Sequence, residues 1–169
     1  MSARPLAPLL TLGVALAACG PLGSAGRVRA RVGRAHADTV RFAAPASAHQ
    51  CAAPGRRGLL VVGSSGGNGA LVLLRWRDSL APGEWPLLQR ADTVSPAGAI
   101  VGVRYMDANV AHGVPLDSGT ASVTRVGSIL SLRVRGSGLE VAGGTKAAVD
   151  LAVDAVRVAP DTVPCQVQL

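Results

Sequence analysis

Aromatic side chains are nearly absent. Phe42, Trp76, Trp85 and Tyr105 are all that the 169 residues contain. A core must therefore come from Val, Leu and Ala. Stacking platforms for bases are lacking, and no basic stripe runs through residues 51–169, so nucleic acid is not an expected partner. Histidine is sparse as well. His36, His49 and His112 are scattered without metal-ligand spacing, and neither a metal nor a cofactor is expected. Asp107, Asn109 and Asp117 are oxygen donors of the kind calcium takes, but loop acids are more often simply solvated. The glycine-rich stretch at 63–67 lacks the Gly-Lys-Ser/Thr ending of a phosphate-binding loop. Beyond residue 18 no apolar run is long enough to cross a bilayer as a helix.

What the chain does have is 21 glycines and 11 prolines. Helix interiors disfavour both, whereas a sheet with many turns needs them. Turn signals recur about every 8–12 residues, the spacing of a sandwich or barrel. The length allows one domain with a real core. The expected fold is all-β: one antiparallel β-sandwich or barrel-like domain of about seven to nine short strands.

Individual stretches support it. Leu59-Leu60-Val61-Val62 suits a buried strand. Val72, Leu74 and Trp76 share one face, with Arg75 and Arg77 on the other. Trp85–Gln89 reads as the next strand. Val101, Val103 and Tyr105 share a face, with Arg104 pointing away, and residues 107–119 read as a longer loop. Thr120–Val126, Gly127-Ser128 and Ile129–Arg135 form a tight hairpin, in which Leu130, Leu132 and Val134 alternate with Ser131, Arg133 and Arg135. The segment 145–158 fits two patterns. As a helix, Thr145 caps it and Lys146, Asp150 and Asp154 stack on one face. As a strand, Val149, Leu151 and Val153 face inward, with a slip near Ala155 that a bulge absorbs. The Gly143-Gly144 turn before it favours the strand.

The formal net charge of +7 is uneven. Residues 27–41 hold Arg27, Arg29, Arg31, Arg34 and Arg41 against Asp38 alone, whereas 51–169 hold eleven basic and nine acidic residues. With its small residues and prolines, 19–50 reads as a flexible basic tether before a domain at 51–169. Thr39–Phe42 is its one candidate strand, placed at an edge. Arginines beside a membrane would meet anionic headgroups or other envelope polyanions, at about 1 kcal/mol each.

The N-terminus carries the most specific motif. Arg4 precedes an apolar run from Leu6 to Ala18, which has signal-peptide length. As a helix it covers about 20 Å, short of the roughly 30 Å of hydrocarbon. Leu16-Ala17-Ala18-Cys19 closes it and resembles a bacterial lipobox. The resemblance covers residues 1–20. It implies a lipoprotein signal peptide at 1–18, cleavage before Cys19, and a diacylglyceryl group on the Cys19 sulfur with palmitate-type acylation of the new amine. It further implies membrane lipid as a partner and a place in the bacterial cell envelope. Gly20, not Asp, follows the cysteine, which implies the outer membrane where the host has one. Ala15-Leu16-Ala17 is itself a signal-peptidase site, so ordinary secretion starting at Ala18 is the competing outcome. With Cys19 lipidated, Cys51 and Cys165 remain, and in an oxidising compartment they are expected to form a disulfide. Residues 51–169 loosely resemble exported β domains of uncharacterised lipoproteins, which brings no activity.

One motif suggests chemistry. Gly63-Ser64-Ser65-Gly66-Gly67 matches G-x-S-x-G, the turn that presents the serine of an α/β-hydrolase. Ser65 would need a base, and His112 is the only histidine after it. Too little chain precedes Ser65 for that fold, and a glycine-rich hairpin explains the stretch equally well. The expectation is therefore a non-enzymatic, lipid-anchored structural or interaction module for a protein, glycan or small molecule, with an envelope serine hydrolase as the alternative.

Overall fold

The computed structural model describes residues 26–35, 38–53 and 56–165. The expected signal peptide at 1–18, the lipobox-like stretch ending at Cys19, and His36 lie outside them. Nine strands run in chain order: β1 (Arg27–Arg34), β2 (Val40–Ala53), β3 (Arg56–Ser65), β4 (Asn68–Trp76), β5 (Gly83–Pro86), β6 (Gly98–Asp107), β7 (Val110–Val126), β8 (Ile129–Leu139) and β9 (Lys146–Pro164). The described residues contain no helix.

Eight of the strands close into an antiparallel barrel, in the order β1-β2-β3-β4-β6-β7-β8-β9 and back to β1. The ninth, β5, adds to β7. Three of its strands, β2, β7 and β9, are long and change partners along their length. Val40–Pro45 of β2 pair with β1, and Ala46–Ala53 pair with β3. β7 leaves β6 after Pro115 and joins β8 from Leu116. β9 runs beside β1 and β8, then continues past β1 to lie parallel to the far half of β2. Each long strand thus serves two sheets. The first sheet holds β1, β8, β5 and parts of β2, β7 and β9; the second holds β3, β4, β6 and the remaining parts.

Alternation decides what faces in. On β1 the valines Val28 and Val32 are buried while Arg27, Arg29 and Arg31 are exposed. On β9 Val149, Leu151 and Val153 point inward. The pattern then slips at Asp154-Ala155, which together face Ser131. Ala155 takes a left-handed φ of 48° and its N–H donates to Ser131 Oγ at 3.1 Å. After this bulge Val156 and Val158 face inward again. The strand expected over 145–158, with its slip near Ala155, is present.

Three expectations need correction. The stretch 19–50 is not wholly a tether: 27–34 and 40–53 are interior strands of the barrel. Its Arg-Val alternation is a half-buried strand in which arginine simply takes the outward positions. Residues 107–119 are mostly strand, not loop. Their Gly and Pro mark where β7 bends from one sheet to the other, with a register shift between Leu116 and Ser118. At Gly119 (φ 128°) a Cβ would sit 2.1 Å from Arg135 O, so only glycine lets β7 and β8 approach there. Finally, the strand near Trp85 is Gly83–Pro86, and beyond it Leu87 makes only an isolated bridge to Ala99.

A smaller second cluster lies on the other face of the second sheet. Leu71 and Leu73 of β4 meet Leu88, Ile100 and Cys51. Arg75 is buried there too. It donates to Asp92 O at 2.7 Å and Ser95 O at 3.2 Å, which fastens the β5–β6 connection. Cys51 and Cys165 form a disulfide with a Cα–Cα distance of 4.9 Å, joining the end of β2 to the residue after β9. Both Gly26 and Cys165 therefore sit at one end of the barrel. The β1–β2, β3–β4, β6–β7 and β8–β9 connections lie at the other.

Candidate functional site

The outer face of the first sheet carries Arg27, Arg29 and Arg31 of β1, Arg41 of β2, and Arg133 and Arg135 of β8. Two rows run across the strands. In one, Arg41 of β2 faces Arg31 of β1, Arg31 faces Asp150 of β9, Asp150 faces Arg135 of β8, and Arg135 faces Thr120 of β7. In the next, Ala43, Arg29, Ala152, Arg133, Ser122 and Glu84 follow in the same order. The small residues form a floor and the arginines rise around it. The result is an open groove of about 890 Å³ in which Arg29, Arg31, Arg41, Arg133 and Arg135 outnumber the two lining carboxylates, Glu84 and Asp150. Its basic charge is carried by guanidinium groups: Lys146 is the chain's single lysine. Planar guanidinium forks bind oxyanions bidentately.

The charges divide into a satisfied and an unsatisfied half. Asp154 bridges Arg29 at 2.7 Å and Arg133 at 2.7 Å. Partial burial pushes the Asp154 carboxyl up, but the hydrogen bonds from Arg133 and Arg29 outweigh it and hold the group below its ordinary range. That stability is present above the unfolded-state value near 4 and is lost as pH falls through the lower folded value. Thermal midpoints of Asp154→Asn are expected to depend less on pH than wild type below about pH 4. Freeing two arginines should also make this variant bind anions more tightly.

In the other half, Asp150 reaches only Arg135, at 3.8 Å. Arg27, Arg31 and Arg41 have no ion-pair or hydrogen-bond partner among the described residues. Arg31 and Arg41 are directly opposite on neighbouring strands, where like charges destabilise a sheet. Replacing Arg41 with Thr, a good strand former, is expected to stabilise the barrel by up to about 1 kcal/mol. Urea denaturation measures it, and a loss of stability would contradict it.

A second polar cluster lies at the barrel end opposite Gly26 and Cys165. Tyr105 of β6 and His112 of β7 are cross-strand partners, their rings 5.1 Å apart and 7° from parallel. The Arg34 guanidinium lies 5.6 Å from the Tyr105 ring centre and pairs with Asp107 at 2.8 Å. That hydrogen bond is the chief cause raising the Arg34 pKa. Glu140, from the β8–β9 turn, accepts a hydrogen bond from the Tyr105 hydroxyl and lies 3.4 Å from His112 Nδ1. Tyr105 is wholly buried and Glu140 nearly so. Burial, followed by the Glu140 contact, pushes the Tyr105 hydroxyl far above its ordinary range. A phenol held protonated against a buried carboxylate is a plug rather than a nucleophile.

The residues singled out in the sequence are distributed as follows. Ser65 is exposed and pairs with Asn68 across a two-residue turn, with Gly66 at φ 56° and Gly67 at φ 82°. This is the mirror-image turn of a tight hairpin. It leads into strand β4, where a hydrolase elbow needs a helix. No hydrogen bond joins Ser65 to His112 among the described residues, and His112 is engaged in the plug. Asp107 is taken by Arg34. Arg27, Arg29 and Arg31 share the outer face of β1, but Arg34 turns into the plug and leaves that group. Arg41, Arg133 and Arg135 complete the groove and were not expected at a site with the β1 arginines. Their signal was the period-two placement of arginine in two distant segments, which becomes one surface only once β1, β9 and β8 are neighbours.

No protein-family model matches the chain, and no curated protein or solved structure matches it.

Proposed function

We propose that this chain is a lipid-anchored bacterial envelope protein, held by acylated Cys19. Its barrel acts as a non-enzymatic binding module for an anionic envelope component. One observation carries the binding reading: the concave outer face of the first sheet, with Arg31 and Arg41 opposed and neither making an ion pair among the described residues, although Asp150 stands across from Arg31 on β9. A surface that accepts like-charge repulsion is explained when an anion relieves it. The apolar interior and arginine-rich exterior are the reverse of a membrane-spanning barrel, which is apolar outside. The lipobox at Leu16-Ala17-Ala18-Cys19 supports the anchor.

Retention on an anionic resin such as phosphocellulose tests the binding reading. Arg31→Glu/Arg41→Glu should elute at clearly lower salt than Arg77→Glu/Arg90→Glu, which changes the net charge equally on exposed residues outside the groove. Equal elution of the two variants would refute it, because the effect would then be net charge alone. Intact-mass analysis of the mature N-terminus tests the anchor. An unmodified chain starting at Ala18 would end that part.

A further inference from the structure

Resting on that reading of the groove, we infer that its ligand is a flexible linear polymer carrying a phosphate at each repeat, which lies along β1 with one phosphate seated between Arg31 and Arg41. Three features select this chemistry. The first is the geometry of the opposed pair. Arg31 and Arg41 project from neighbouring strands about 4.8 Å apart, so two guanidinium forks can grip one tetrahedral oxyanion from both sides. Neither has a carboxylate partner among the described residues, so the ligand displaces no ion pair.

The second feature is repetition. Arg27, Arg29 and Arg31 stand on one face at every second residue, about 6.6 Å apart along the strand. One isolated anion would use a single position, whereas a chain of anions uses the series. Across the groove Arg133 and Arg135 repeat the same step on β8. Thr120 and Ser122 add hydroxyls to the floor.

The third feature is what the groove omits. Its only aromatic lining residue is Phe42, which is partly buried and packs against the barrel core. Unstacked bases find no platform, which disfavours single-stranded nucleic acid. The surface is also concave, so a flat bilayer cannot reach its floor and both arginine rows together. A narrow chain can.

The test uses the mature chain with Cys19→Ser, so that no acyl chain enters the vesicles of the comparison arm, and inorganic polyphosphate, with binding followed by isothermal titration calorimetry. Single-stranded DNA of matched charge and phosphatidylglycerol vesicles are the comparison arms. Wild type should bind polyphosphate more tightly than either, with affinity falling as salt rises. Arg31→Gln/Arg41→Gln should weaken binding about 30-fold, on the scale of one charge contact per arginine. Arg29→Gln/Arg133→Gln, which removes two arginines already hydrogen-bonded to Asp154, whose charge offsets one of them, should weaken it several-fold less. Since both Arg31 and Arg41 are exposed, the variants should keep the wild-type circular dichroism spectrum. Tighter binding of DNA or of vesicles would overturn the inference, as would equal losses from the two double variants. If polyphosphate fails to bind while the resin still distinguishes groove from control variants, the polymer assignment fails and the groove reading stands. If neither responds, both fail.

Discussion

Replacing Cys51 and Cys165 together with alanine is expected to destabilise the protein by about 4–5 kcal/mol, the chain-entropy cost of a bridge closing a loop of this size. The bond joins residues 114 apart in sequence. It also holds a structural joint. At this end β9 has outrun β1 and lies parallel to β2, pairing Cys51 with Val163. No hairpin supports a parallel contact, so the covalent link does what a turn does elsewhere. Cys51 is buried against Leu71, Leu73 and Ile100, so the loss combines chain entropy with a packing defect. The thermal midpoint should fall by roughly 10–20 °C. Gly58 probes the same joint from the other side: a Cβ there would lie 2.8 Å from Cys51 Sγ and 3.0 Å from Leu74 O. Gly58→Ala should destabilise the native protein and cost less in the double-alanine background, because both sulfur contacts are gone and only that with Leu74 O remains. Additive losses would contradict this.

Tyr105→Ala is the second large effect, expected at about 3–5 kcal/mol, the range for deleting a buried aromatic ring. Tyr105 has 0% exposure and is the largest fully buried side chain among the described residues. Its removal takes a stacking partner from His112, a π face from Arg34 and a donor from Glu140. Tyr105→Phe separates these contributions. It keeps the ring and leaves the Glu140 carboxylate without its phenol donor, at about 1–3 kcal/mol. Tyr105→Phe/Glu140→Gln should cost less than the two single changes added, since a neutral amide is cheaper to leave under-satisfied than a carboxylate. Urea denaturation with slopes compared across the set measures all three. If the plug is structural, as its geometry indicates, these variants weaken folding and leave anion binding by the remaining folded protein unchanged.

The strands with clean alternation were legible from sequence. The hairpin around Gly127-Ser128 declares itself because Leu130, Leu132 and Val134 alternate with polar residues and the turn is tight. The last strand, including its bulge, was legible because the valine pattern slips by one residue at a single place. What misled was composition. Around β1 and β2 the inward residues are small, such as Ala30, Ala44 and Ala48, so burial leaves little hydrophobic signature. A run of Arg, Ala and Pro then resembles a tether. In β7 the glycines and Pro115 mark a strand changing sheets, and sequence alone does not separate a bend from a loop. The groove is harder still. It draws on β1, β2 and β8, whose contributions lie about a hundred residues apart, and becomes one surface only through barrel closure. Local periodicity gives each arginine its face. Topology gives it its neighbours.

If the outer face of the first sheet is where this protein meets its ligand, amide chemical-shift mapping of the isotopically labelled mature chain, titrated with tripolyphosphate, locates the contact. The shifted resonances should belong to β1, Val40–Pro45 of β2, β8, and β9 before its bulge at Ala155. Shifts centred on Ser65, His112 and the plug end, or spread evenly over every exposed arginine, would contradict it.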